Sequence, residues 1–105
     1  MSLNKEVSML QEKEVAAMLG GSLAPASGAS RFAGGDVLTD RFLVECKTVT
    51  KLQTSFSVKK EWLDKAKEQA FEQGKSDYAL AFRFEPNGKD YVVLPIATFR
   101  DLLDS

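Results

Sequence analysis

Histidine is absent from this 105-residue chain, and that gap excludes more chemistry than any other in its composition. Without imidazole there can be no histidine-ligated zinc, no Ser-His triad and no histidine general base. A single cysteine, Cys46, rules out an internal disulfide, and its strand position makes it a small buried hydrophobe rather than a nucleophile. No apolar run approaches the roughly 18 residues of a membrane span. The N-terminus carries Lys5 and Glu6 but no long apolar stretch, so it does not read as a secretory signal, and a cytoplasmic protein with no membrane partner is expected. Any catalysis must then use carboxylates, lysines and a metal. The length fits one domain, residues 1–105, with a single core and no second module. The net charge of -1 argues mildly against a nucleic-acid partner, because phosphate contacts favour a basic surface.

Against these absences stands one dense stretch. A strand is predicted over Phe42-Leu43-Val44-Glu45-Cys46-Lys47, and Asp36 precedes Glu45 by nine residues, behind Gly34-Gly35. Alternate side chains of a strand share a face, so Glu45 and Lys47 project together while Val44 and Cys46 go to the other side. Asp36-Val37-Leu38-Thr39 reads as the preceding strand, and a short Asp40-Arg41 turn folds it back, bringing Asp36 toward Glu45. Two carboxylates and a lysine converge. Oxygen ligands of this kind suit a hard divalent cation, with the lysine placed to steady an anion or the attacking water. The bland alternative is a hairpin with a solvated Glu/Lys pair.

The rest of the chain predicts helix, strand, strand, helix, strand, strand, helix, an α/β sandwich with a mixed sheet flanked by helices. The first helix spans about Asn4 to Leu19 and stops at Gly20-Gly21. A loop rich in Gly, Ala and Ser fills 20–35, where small residues admit close approach of a phosphodiester backbone. Ser55 or Ser57 is expected to cap a helix over about Val58 to Gln73, whose apolar stripe is Val58, Trp62, Leu63, Ala66 and Ala70. Lys59 projects into that stripe, either as a snorkelling lysine or as a group facing the carboxylates. Tyr78 to Phe84 and Tyr91 to Leu94 form a hairpin across Pro86-Asn87-Gly88-Lys89, the first strand being covered on both faces. Phe99 to Leu103 closes the chain as a short helix. Between Arg31 and Lys67 the basic residues Arg31, Arg41, Lys47, Lys51, Lys59, Lys60, Lys65 and Lys67 outnumber Asp36, Asp40, Glu45, Glu61 and Asp64. With two of those acids neutralised by metal, the middle third becomes clearly basic, although Lys65 and Lys67 are equally read as a solvated helix face.

Gly-Asp followed by Glu-X-Lys resembles the core motif of the PD-(D/E)XK nuclease superfamily. The order of four elements sharpens that resemblance toward the archaeal and phage Holliday junction resolvases. Glu12-Lys13-Glu14-Val15-Ala16-Ala17-Met18-Leu19 is similar to their opening helix, Ala24-Pro25-Ala26-Ser27-Gly28 to their Ser-Gly loop, and Gly35-Asp36 and Glu45-Cys46-Lys47 follow in order. The resemblance covers about residues 8–95. It implies a restriction-endonuclease-like αβββαβ core, with a third strand or turn sought in 47–55, and a Mg²⁺ site for which Mn²⁺ can substitute. The implied ligands are Asp36, Glu45, the carbonyl of Cys46, and Glu12. Periodicity alone points to Glu14, within the stripe Leu3, Val7, Leu10 and Met18, but the family pattern matches Glu12, which we take as the ligand. Where the family often has glutamine on the second helix, this chain has Trp62, a departure that leaves the role of that position open.

The resemblance further implies that Lys47 orients the attacking water or offsets charge at phosphorus, while Ser27, Gly28, Ser30 and Arg31 contact DNA near the cut, joined by Lys59 and Lys60. No element reads bases, so specificity is expected for branched DNA such as four-way junctions, cut by a homodimer whose apolar surface would come from Trp62 and the phenylalanines. Two other readings compete. The same fold could act on flaps, ends or duplex DNA, or Glu45 and Lys47 could merely pair in a binding module without catalysis.

Overall fold

The computed structural model describes residues 3–24 and 36–105. Its elements in chain order are α1 (Leu3–Leu19), β1 (Ser22–Leu23), β2 (Asp36–Leu38), β3 (Phe42–Lys47), α2 (Lys60–Glu72), β4 (Asp77–Phe82), β5 (Tyr91–Val93) and α3 (Ile96–Asp104). The five strands form one mixed sheet in the order β1-β2-β3-β4-β5. Strands β3 and β4 run parallel, joined by the α2 crossover, while the remaining neighbours are antiparallel. The protein is therefore α/β. Among the described residues no helix is long and apolar enough to cross a membrane.

Strand alternation sorts the core into two layers. Val37, Val44, Cys46, Ala79 and Ala81 pack with Val15 and Ala16 of α1 on one face, and Leu43 packs with Ala66 and Ala70 of α2 on the other. Ala residues on both helices let the helix axes approach the sheet closely. Strand β4 is covered on both faces, as its near-continuous apolar run predicts.

The opening helix buries a different stripe from the one its apolar residues suggest. Val7, Gln11, Glu12, Val15 and Ala16 are buried, whereas Leu10 is 40% and Met18 83% exposed. Helix α1 ends at Gly20, whose φ of 66° is the left-handed conformation, and the Gly21 N–H reaches back 2.8 Å to the Ala16 carbonyl. A side chain at Gly21 would put its Cβ 2.6 Å from the Leu38 carbonyl oxygen, so the glycine lets the helix end meet β2. This is what allows β1 to pair with β2 directly after the helix.

The third strand sought in 47–55 is not there. Residues 48–55 have no ladder partner; the Gln53 N–H bonds the Phe84 carbonyl at 2.7 Å, and Phe56 just beyond stacks on Phe82. The extra strand before α2 is instead β1, two residues long and too short to show any hydrophobic period. The order through β4 thus reads αβββαβ. Helix α2 starts at Lys60 rather than Val58, and its N-cap is Lys59 without a side-chain cap bond, so neither Ser55 nor Ser57 performs that role. The Asp40-Arg41 turn is held by Thr39, whose hydroxyl accepts from the Phe42 N–H at 2.9 Å while the Thr39 N–H bonds the Phe42 carbonyl. Helix α3 is longer than expected, and Ile96, Phe99 and Leu103 leave it largely uncovered.

Candidate active site

The turn at Asp40-Arg41 sets a register in which Asp36 lies directly opposite Glu45 across β2 and β3. Directly opposed residues share a face and bring their Cβ atoms within roughly 5 Å. Leu38 and Leu43, two residues away on each strand, belong to the α2-side core, so the two carboxylates project toward α2. Lys47 follows on the same face. Cys46 points to the α1 side, where it is 2% exposed and burial pushes its thiol up, which suits a packed hydrophobe. Its carbonyl lies one residue past the Asp36–Glu45 pair, beyond the stretch of β3 flanked by β2.

Like charges brought together in a half-dry setting resist ionisation. The Asp36 carboxyl is pushed up to about 6, first by burial and then by Glu45, with Glu12 adding in the same direction; Lys65 and Lys47 oppose the rise. Glu45 is likewise raised by burial, against the pull of Lys47 and Lys65. Glu45 is 3% exposed, and its Oε2 has no hydrogen-bond partner. A buried carboxylate oxygen left in this state calls for a cation or a proton. The donors are hard oxygens on adjacent strands with an ammonium nearby, which fits Mg²⁺ or Mn²⁺. Among the described residues no three acidic or thiol side chains are gathered tightly enough to enclose an ion. The arrangement is a pair of carboxylates, with Glu45 buried and Asp36 partly so.

Of the two α1 glutamates, Glu12 is the one whose charge reaches Asp36, although α1 packs on the sheet face opposite to the one from which Asp36 and Glu45 project. Glu12 is 4% exposed and acts electrostatically on Asp36, while Glu14 turns outward and pairs with Arg83 at 3.0 Å. What holds α1 there is a buried polar hub just past the paired ends of β3 and β4. Arg83, 1% exposed, donates to Asp90 from Nε at 3.0 Å and from Nη2 at 2.5 Å, and to the Pro86 carbonyl at 2.8 Å. Gln11, next to Glu12, donates 2.9 Å bonds to Asp90 and to the Lys47 carbonyl. One side chain of α1 therefore clamps the end of the strand that carries Glu45 and Lys47.

Around this centre the other expected residues separate. Lys59 and Lys60 flank the start of α2; Lys60 is well exposed and paired with Asp64 at 2.9 Å, and Lys59 lies beside the Trp62 ring. Ser27, Gly28, Ser30 and Arg31 lie outside the described residues. Three members were missed by sequence reasoning. Lys65, read as a solvated charge, acts on both carboxylates; nothing in the sequence separated it from Lys67, which flanks Ala66 on the other side. Gln11 and Asp90 carry no local signature, since their partners lie 36 and 79 residues from Gln11 in sequence. Compared with known proteins, the chain matches no family model, no curated protein and no solved structure.

Proposed function

We propose that this protein is a metal-dependent, structure-selective DNA endonuclease that resolves four-way junctions. The observation that carries the reading is the Asp36–Glu45 pair, opposed across β2 and β3 with an orphaned Glu45 oxygen and Lys47 one pleat further on. Its order of elements and its Glu-X-Lys strand are those implied by the resemblance to the PD-(D/E)XK nucleases, which supports a restriction-endonuclease-like core. The protein would work in the cytoplasm on branched DNA.

In this mechanism Asp36 and Glu45 would hold Mg²⁺, with the Cys46 carbonyl and Glu12 at the margin of the site. The ion when bound supplies Lewis-acid polarisation of the scissile phosphate and eases loss of a proton from water. Lys47 places its positive charge where the pentavalent phosphorus accumulates negative charge, and orients the attacking water. Lys65 offsets the mutual repulsion of the two carboxylates before substrate arrives. Ser27, Gly28, Ser30 and Arg31, with Lys59 and Lys60, contact phosphates and so fix the register of the backbone without reading sequence. A junction has two-fold symmetry, and paired incision needs a C2 dimer. Trp62 is half-buried, so the apolar surface for that dimer is sought elsewhere than on its ring.

The deciding experiment is cleavage of matched four-way, flap and linear substrates with Mg²⁺. Paired nicks in the junction are expected, absent in Asp36→Asn. Cleavage of flaps or ends alone would leave a nuclease with a different substrate, and no cleavage with saturable DNA binding would favour the binding module.

A further inference from the structure

Lys47 sits beside two carboxylates yet forms an ion pair with neither; among the described residues its close partner is an aromatic ring. Its Nζ lies 4.6 Å from the centroid of Trp62, in the first turn of α2. Phe56 stands behind that ring at 6.0 Å, stacks on Phe82 at 4.8 Å, and Phe82 is the residue opposite Lys47 across β3 and β4. The segment between β3 and α2 therefore folds back to build an aromatic wall next to the lysine. An unrestrained ammonium on a four-carbon stem would collapse onto Glu45, whose Oε2 instead remains unpartnered.

We infer that Trp62 is a positioning residue that parks the Lys47 ammonium on its π face, keeping it off Asp36 and Glu45 so that the carboxylates stay open to a divalent cation. The quadrupole of the indole attracts the cation, and Trp is the strongest side chain for this purpose. Held there, Lys47 still acts on both carboxylates through space, as a field rather than as a contact. Its catalytic consequence rests on the nuclease reading; the parking itself does not.

The test begins with NMR of the intact protein. Ring currents should move the Lys47 ε-methylene protons upfield in the wild type and in Lys59→Ala, and the shift should vanish in Trp62→Leu and persist in Trp62→Phe. Because Trp62 is the only tryptophan, Lys47→Met should also change the emission of the protein. That second measurement holds even where Trp62→Leu fails to fold. Mn²⁺ titrated into Trp62→Leu should bind about tenfold more weakly, the scale of one cation–π contact released to compete for the carboxylates. In a Lys47→Met background the same substitution should leave Mn²⁺ affinity unchanged. Lys47 protons at unperturbed positions in the wild type, or wild-type Mn²⁺ affinity in folded Trp62→Leu, would overturn the inference. Absence of DNA cleavage by the wild type would remove the nuclease reading and leave the ring-shift result to decide this one.

Discussion

Asp36 concentrates the electrostatics of the site in one titration. Its carboxyl is raised from an ordinary value of 3.8 to about 6, so between those limits the folded chain binds more protons than the unfolded chain. Stability therefore falls as pH rises through that window, and the penalty is fully present above about 6. Asp36→Asn should flatten the wild-type decline in melting temperature between pH 4.5 and 7 and be the more stable protein at neutral pH, while cleavage is lost and DNA binding is kept. Steeper dependence in the variant would contradict the assignment. Cation binding displaces the same proton, so Mn²⁺ affinity measured by calorimetry should weaken below about pH 6. The two glutamates of α1 separate by environment: Glu12→Gln should lower the cleavage rate at least about 100-fold, the scale of removing a charge-stabilising group. Glu14→Gln should leave the rate near wild type and cost about 1 kcal/mol of stability through its half-exposed bond to Arg83. The reverse outcome would show that the outward-facing glutamate serves the site.

At the level of elements, α1 and β3 are coupled through buried polar side chains. Asp90 receives Arg83 through two oxygens and Gln11 through one, and Gln11 in turn holds the Lys47 carbonyl. Asp90→Ala leaves a guanidinium at 1% exposure with only Glu14 and a carbonyl to pair with, so a loss of about 3–5 kcal/mol in denaturant unfolding is expected. Gln11→Ala should cost less stability yet still weaken Mn²⁺ binding, because the β3 end is freed while the buried charges remain paired. Wild-type Mn²⁺ affinity in that variant would mean that the strand end is held by its ladder alone.

For the molecule as a whole, the net charge of -1 hides an uneven distribution, and binding should follow the distribution. A four-way junction should be bound more tightly than linear duplex of the same sequence, with steep weakening in salt as counterions are released. Lys59→Ala and Arg31→Ala should each reduce the log–log salt slope by about one unit if the residue meets a phosphate. Sedimentation should give one dimer per junction. Equal affinity for branched and linear DNA, or a monomer at micromolar concentration, would remove junction resolution and leave a nuclease acting on another substrate.

Much of this was legible in residue order, because it depends on local rules. Period-two alternation set Glu45 and Lys47 on one face and Cys46 on the other, the Asp40-Arg41 turn brought Asp36 opposite Glu45, and Gly20-Gly21 ended the first helix. The α/β layering followed from the same patterns. Contacts between distant segments were not legible. The buried stripe of α1 departs from its apolar residues because Gln11 finds Asp90 and the Lys47 carbonyl, and a polar group with partners can be buried where an isolated one cannot. Strand β1 exists only because β2 offers it a ladder, and the 48–55 stretch stays irregular because no strand does. Lys65 and Trp62 join the site only when α2 docks on the sheet. Which face a side chain takes is a property of its own strand or helix; which charge it meets there depends on how those elements pack.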